Sequence, residues 1–184
     1  LWEEKNKLFQ LKKQLLDPVI KLQKFTENDF PYYFQLVNNE KVMEMITERL
    51  IPLDEAKKDY QELLDNNSIA HDFGSFKILN VISNEFIGLA KLEITHRDSV
   101  EAELGYMILP QYWGKGIGGS VAKQLLKMAS DQRSINKLTA IIDPKNLASR
   151  KILINNGFVS KEFKDFDGLP GEILELHIDQ NAYI

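Results

Sequence analysis

Cysteine is absent from all 184 residues. That single absence excludes a disulfide framework, a thiolate-ligated zinc site and a cysteine nucleophile. Histidine is nearly absent too: His71, His96 and His177 are scattered and form no metal-ligand spacing, so no metal is expected. No apolar run approaches membrane-spanning length and no signal-peptide pattern is present, so no membrane partner and a cytoplasmic location are expected. An excess of positive charge is also missing. The net charge is −4 and the pI about 5.5, which argues against nucleic acid as a partner but not against an anionic cofactor held by backbone amides. There is no internal repeat, low-complexity tract or sign of a second domain. Glycine is sparse, ten residues in all, yet four of the ten fall between positions 114 and 119.

That cluster lies in Gln111-Tyr112-Trp113-Gly114-Lys115-Gly116-Ile117-Gly118-Gly119. Before it, residues 102–109 read as a mostly apolar strand closed by Pro110. After it, Ile117, Val121, Leu125 and Met128 recur at helical spacing, with Ala122 and Leu126 widening the stripe. A glycine-rich turn therefore joins a strand to a helix. Glycines let the backbone approach a ligand, and a helix start leaves N–H groups without partners, so the turn suits phosphate or pyrophosphate. Gly114, Gly116 and Gly119 also satisfy the dinucleotide pattern G-x-G-x-x-G, with Asp143 ending the next strand. Two features speak against that reading. Pro110 to Trp113 separate the first glycine from its strand, and the preceding strands form a hairpin meander rather than an alternation of strand and helix.

The same residues fit Gln/Arg-x-x-Gly-x-Gly/Ala, as Gln111-x-x-Gly114-x-Gly116, and here the chain resembles the GNAT superfamily of acetyl-CoA-dependent N-acetyltransferases. Asn146-x-x-Ser149 and Asn155-Asn156-Gly157-Phe158 extend the resemblance, to the branch that acetylates ribosomal-protein N-termini and its relatives. It covers roughly residues 19–178. The fold it implies is mixed α/β (α+β), a mostly antiparallel central sheet with a splayed parallel pair where acetyl-CoA enters.

In chain order, residues 1–18 are expected to form an appended helix, with Leu8, Leu11 and Leu15 on one face, ahead of a single domain at 19–184. Residues 19–25 alternate as a first strand, and Thr26 with Asp29 opens a helix bearing Phe30, Tyr33, Phe34 and Val37. Residues 41–51 read as irregular or helical, with Met43 and Met45 expected at the surface. A helix follows Pro52, carrying Ala56, Tyr60, Leu63 and Leu64. Strands are expected at 75–82 and 85–95 around Ser83-Asn84, and a buried parallel strand at 137–142. Asn146 caps a helix that ends at Gly157. A strand then runs to about Phe166, a turn spans 167–171, and the last strand covers 172–178.

Acetylating an amine from a thioester requires a neutral amine, a stabilised carbonyl oxygen and help for the leaving thiolate. The resemblance implies Glu103 as the base, with His96 and Asp165 (and Asp167 beside it) as reserve acceptor-side groups. It implies backbone amides of Tyr106, Met107 and Ile108 for the pantetheine arm, and Ser149 as donor to the departing sulfur. Gln111, Gly114, Lys115, Gly116, Ile117, Gly118 and Gly119, with Asn146, Ser149 and Arg150, are the implied cofactor contacts. Lys151 is a further candidate for its phosphates. Many family members carry a tyrosine four residues before the Gly-Phe pair, where this chain has Leu153. The expected activity is direct transfer to a primary amine in a ternary complex, the acceptor being a protein N-terminus or a small molecule. A non-catalytic acyl-CoA-binding or regulatory module is the alternative, and the protein is expected as a monomer or homodimer.

Overall fold

A computed structural model describes residues 19–179; the helix expected at 1–18 lies outside the described residues. Seven strands form one sheet in the order β1-β2-β3-β4-β5-β7-β6. Strands β1 (Ile20–Lys24), β2 (Gly74–Asn80), β3 (Phe86–Glu93) and β4 (Glu101–Ile108) make an antiparallel meander. Between β1 and β2 lie α1 (Phe30–Val37), α2 (Glu40–Met43) and α3 (Leu53–Asn67). After β4 come α4 (Ile117–Ser130), β5 (Lys137–Ile142), α5 (Leu147–Asn155), β6 (Val159–Phe166) and β7 (Leu169–His177). Among the described residues β4 and β5 are the only parallel neighbours, and β7 inserts between β5 and β6.

Strand alternation sends side chains to both faces of the sheet, and each face has its own core. Ile78, Leu92 and Leu104 pack with Val121 and Leu125 of α4, and with Leu138 and Leu174. Phe25, Leu79 and Leu89 pack on the other face with Tyr33, Leu36 and Tyr60 from α1 and α3. Met43, expected at the surface, belongs to this second core at 3% exposure. Asn39 caps a single turn of helix there by accepting from the Val42 amide, and that turn folds Met43 inward.

Asp29 joins the helical layer to the sheet. Its carboxylate accepts from Thr26 N (2.9 Å) and Thr26 Oγ1 (2.7 Å), and from Lys77 Nζ of β2 (2.7 Å). Burial alone would raise the Asp29 pKa, but the bonds from Lys77 and Thr26 outweigh it and hold the group below its ordinary value. Its contribution to stability is therefore present above the ordinary aspartate range and lost as pH falls through the depressed folded value. Lys77→Met is expected to move the midpoint of acid unfolding to higher pH, as followed by circular dichroism.

Two local readings change. β7 begins at Leu169, because the β6–β7 turn needs only Asp167 (φ 55°) and Gly168 (φ 92°), both left-handed as in a type I′ hairpin. Pro170 pairs with Asp165 where β5 no longer flanks β7, so no ladder bond is lost there. β5, expected to be buried, leaves Ile141 43% exposed. That side chain faces a space opened by the divergence of β4.

Candidate active site

That divergence creates the site. β4–β5 pairing covers only Glu101↔Lys137, Ala102↔Leu138 and Glu103↔Thr139, although β4 continues to Ile108 and β5 to Ile142. β5 stays paired with β7 along its whole length and follows it away from β4. Among the described residues, one edge of β4 thus lacks a strand partner beyond Glu103. Backbone groups alternate sides along a strand. Leu109 N donates to Ile87 O of β3 (2.9 Å), so Met107 also turns to β3, while Tyr106 and Ile108 turn to the gap. Of the three amides expected to meet the pantetheine arm, Met107 N is thereby directed away. The Ile108 carbonyl accepts from Trp113 Nε1 (2.7 Å), which ties the next loop to the strand end.

In that loop Gly114 (φ 73°) and Gly116 (φ 76°) have left-handed backbones, and Gly116 is the N-cap of α4 without any side-chain cap. Among the described residues no side chain caps the first-turn amides of Ile117, Gly118 and Gly119, and none comes within 4 Å of where Gly114 or Gly119 would bear a Cβ. A pyrophosphate fits this arrangement of donors and open space. Gly118 has a further role. A Cβ there would stand 2.9 Å from Ile152 Cδ1, so the missing side chain lets α4 and α5 approach. Ile117 contributes a buried side chain to the core, Gln111 is exposed, and Lys115 Nζ sits 5.5 Å from the Tyr112 ring centroid.

Across the gap, the Asn146 side chain caps α5 by accepting from Ser149 N (3.1 Å), which places Ser149 in the first turn. Lys151 is exposed, and Leu153 is buried in the core. Arg150 is engaged elsewhere. Its Nε donates to both oxygens of Glu172 (3.1 and 2.9 Å), a side chain with no exposure at all. A buried carboxylate needs that partner. Arg150→Met is therefore expected to lower unfolding free energy by about 1–2 kcal/mol, discounted because the Arg150 side chain is 41% exposed. Chemical denaturation checks this, against a much smaller change in cofactor affinity.

On the face opposite α4 and α5 a pocket of about 450 Å³ opens beside Glu103. Its walls include Lys91, Glu93, Glu103, Asp143, Met45 to Glu48 in part, and the β6–β7 tip at Phe166 and Leu169 to Gly171. Lys91 Nζ lies 2.6 Å from Glu103 Oε1 and 3.5 Å from Glu93 Oε2. It reaches them by lying across Gly105, where a Cβ would come within 2.9 Å of its Cε. Burial disfavours its charge, but Glu103 and Glu93 prevail and hold the ammonium above the ordinary lysine value. A second cleft of about 570 Å³ shares Met45, Glu48 and Asp143.

The reserve bases do not join this pocket. His96 is exposed and bonded to Ser99 (3.3 Å), and Asp165 accepts from Gly168 N (2.7 Å) to build the hairpin turn that also contains Asp167. Lys91, Glu93 and Asp143 join it instead, and no motif in the amino-acid sequence marks them for catalysis. The available signal is a lysine and a glutamate alternating with Leu92 in an otherwise apolar strand. Among the described residues no cluster able to hold a metal ion occurs, and no helix is long and apolar enough to cross a membrane.

Comparison with known proteins agrees with this geometry. The acetyltransferase (GNAT) domain family matches residues 20–159. The chain is 30% identical over 140 residues to spermidine N(1)-acetyltransferase of Escherichia coli strain K12, covering 76% of this chain and 72% of that protein. It is 21% identical over 122 residues to the uncharacterized N-acetyltransferase p20 of Bacillus licheniformis, covering 66% and 68%. Among solved structures, RimL, a ribosomal L7/L12 alpha-N-protein acetyltransferase in complex with coenzyme A, superposes with a TM-score of 0.74 at 17% identity, over 90% of this chain and 98% of that one. With a family match over most of its length, the chain belongs to the GNAT N-acetyltransferases.

Proposed function

We propose that the protein moves the acetyl group of acetyl-CoA directly to a primary amine of a small, cationic acceptor. The observation that carries this reading is the opening of the β4–β5 gap, on one side of the sheet to the glycine loop and on the other to an acidic pocket. The pyrophosphate is held by the amides of residues 117–119, and the pantetheine arm pairs with the free edge at Tyr106 and Ile108. Ser149 donates to the sulfur.

The pocket has four acidic residues, Glu48, Glu93, Glu103 and Asp143, against one cation, Lys91. Such a wall attracts a polycation and suits the several charges of a polyamine better than the single ammonium of a peptide N-terminus. The relative that acetylates spermidine points the same way. Glu103 takes the proton of the attacking nitrogen, directly or through water. Lys91 helps by its charge: a fixed ammonium beside the acceptor disfavours the ammonium form of that amine and favours the nucleophilic one. With no cysteine to carry an acetyl group, one complex holds donor and acceptor together.

A panel of polyamines, aminoglycosides and peptides with free N-termini tests the acceptor class. Polyamines should show the highest kcat/KM, with a KM that rises as salt is added. Turnover confined to peptides would assign the pocket to protein N-termini instead.

A further inference from the structure

β6 closes one edge of the sheet, and among the described residues it pairs with β7 alone. The hairpin decides which of its backbone groups face outward. A two-residue loop closes on a bond between the residues that flank it, so Phe166 and Leu169 turn toward each other. Alternation then turns Lys164 and Glu162 to β7 as well, and leaves Phe163 N–H and C=O facing away from the sheet. The Phe163 side chain is 65% exposed, a large apolar group on an edge open to water. Around it stand Lys161, Glu162, Lys164 and Asp165, all exposed. Lys161, Glu162 and Lys164 form no ion pair with any described residue, and Lys164 Nζ sits 5.5 Å from the Phe166 ring centroid. Asp165 bonds only the Gly168 amide of its own turn.

Charges on an edge strand ordinarily discourage pairing with another chain. This run differs because it is complementary to itself when reversed. Antiparallel pairing about a two-fold axis at Phe163 sets Glu162 opposite Lys164 and Lys161 opposite Asp165, each pair occurring twice, with Phe163 opposite its own copy. Neighbouring registers fail. An axis at Glu162 or at Lys164 sets that residue against its own copy, and an axis midway to either one opposes two lysines or two acids. The backbone favours the same register, because Phe163 is the residue whose N–H and C=O point outward and can exchange two bonds across the axis. We propose that β6 is an interface between two copies of this chain, joined antiparallel about Phe163 into one continuous sheet. The bulge at Lys161 ends the regular stretch, so the ladder is short and its ion pairs are exposed. Such a dimer should dissociate at about micromolar concentration. The register also sets Ser160 of the partner subunit opposite Phe166, which with Leu169 and Gly171 walls the pocket beside Glu103. The second copy thereby braces that wall.

Sedimentation equilibrium on the full chain tests this with a charge swap. The wild type should pass from monomer to dimer as its concentration rises through the micromolar range. Lys164→Glu sets acid against acid at two symmetric places and should weaken the dimer by roughly tenfold or more. Adding Glu162→Lys to the same chain restores opposite charges and should bring the dimer back. Both side chains are exposed, so circular dichroism and melting of the diluted variants should match the wild type. The Phe163 amide should exchange slowly with deuterium in the concentrated wild type and quickly in Lys164→Glu. A wild type that stays monomeric at the highest concentration reached would overturn the proposal. So would a dimer indifferent to Lys164→Glu, which joins the copies elsewhere, or a double variant that fails to recover.

Discussion

Gly116→Val is expected to weaken acetyl-CoA binding by roughly a hundredfold. Two effects add. Gly116 holds φ 76° at the N-cap of α4, a backbone that a β-branched residue adopts only with strain. A valine side chain would also stand over the uncapped amides of Ile117 to Gly119, which are the proposed seat of the pyrophosphate. Losing one or two charge-assisted bonds of about 1.5–3 kcal/mol each accounts for the size of the effect. Gly116→Asn serves as the control, since asparagine tolerates the left-handed region and should lose less. Isothermal titration with coenzyme A on folded variants measures both. Equal affinities in wild type and Gly116→Val would detach this loop from the cofactor.

Glu103→Gln is expected to lower kcat by at least about a hundredfold, within the range for removal of a positioned general base. Coenzyme A affinity should be unchanged, because Glu103 faces the pocket beside Lys91 and not the glycine loop. The rise of rate with pH that belongs to the base should flatten. Glu93 also touches Lys91, at 3.5 Å, and also bonds Ser75 Oγ at 2.9 Å. Glu93→Gln should therefore cost much less, and a reversal of that order would make Glu93 the base.

Features written in local chemistry are legible in the amino-acid sequence itself. The Thr26–Asp29 box, the Asn146 cap, the left-handed glycines at 114, 116 and 157 and the hairpin at Asn84 each follow from a residue's own backbone preference. What depends on neighbours across the sheet is not legible there. Lys91 meets Glu103 only because β3 and β4 pair in the register that sets Lys91 opposite Gly105. Arg150 resembles a phosphate ligand because nothing in its own helix announces Glu172, 22 residues later and fully buried. Met107 carries an expected amide contact that strand alternation sends to β3, and Ile141 is expected inside a sheet that splays there. Pro170-Gly171 read as part of the turn because their pairing with β6, beyond the end of β5, is a tertiary fact.

The most direct test is a count of products with acetyl-CoA and a polyamine. Because the chain has no cysteine, a thiol reagent reads free coenzyme A without protein background. Thiol release should be negligible without the amine, begin on its addition, and match the N-acetylated product mole for mole by mass spectrometry. A stoichiometric burst of thiol before any amine is added would contradict direct transfer, and tight acetyl-CoA binding with no thiol release under any amine would contradict the account altogether.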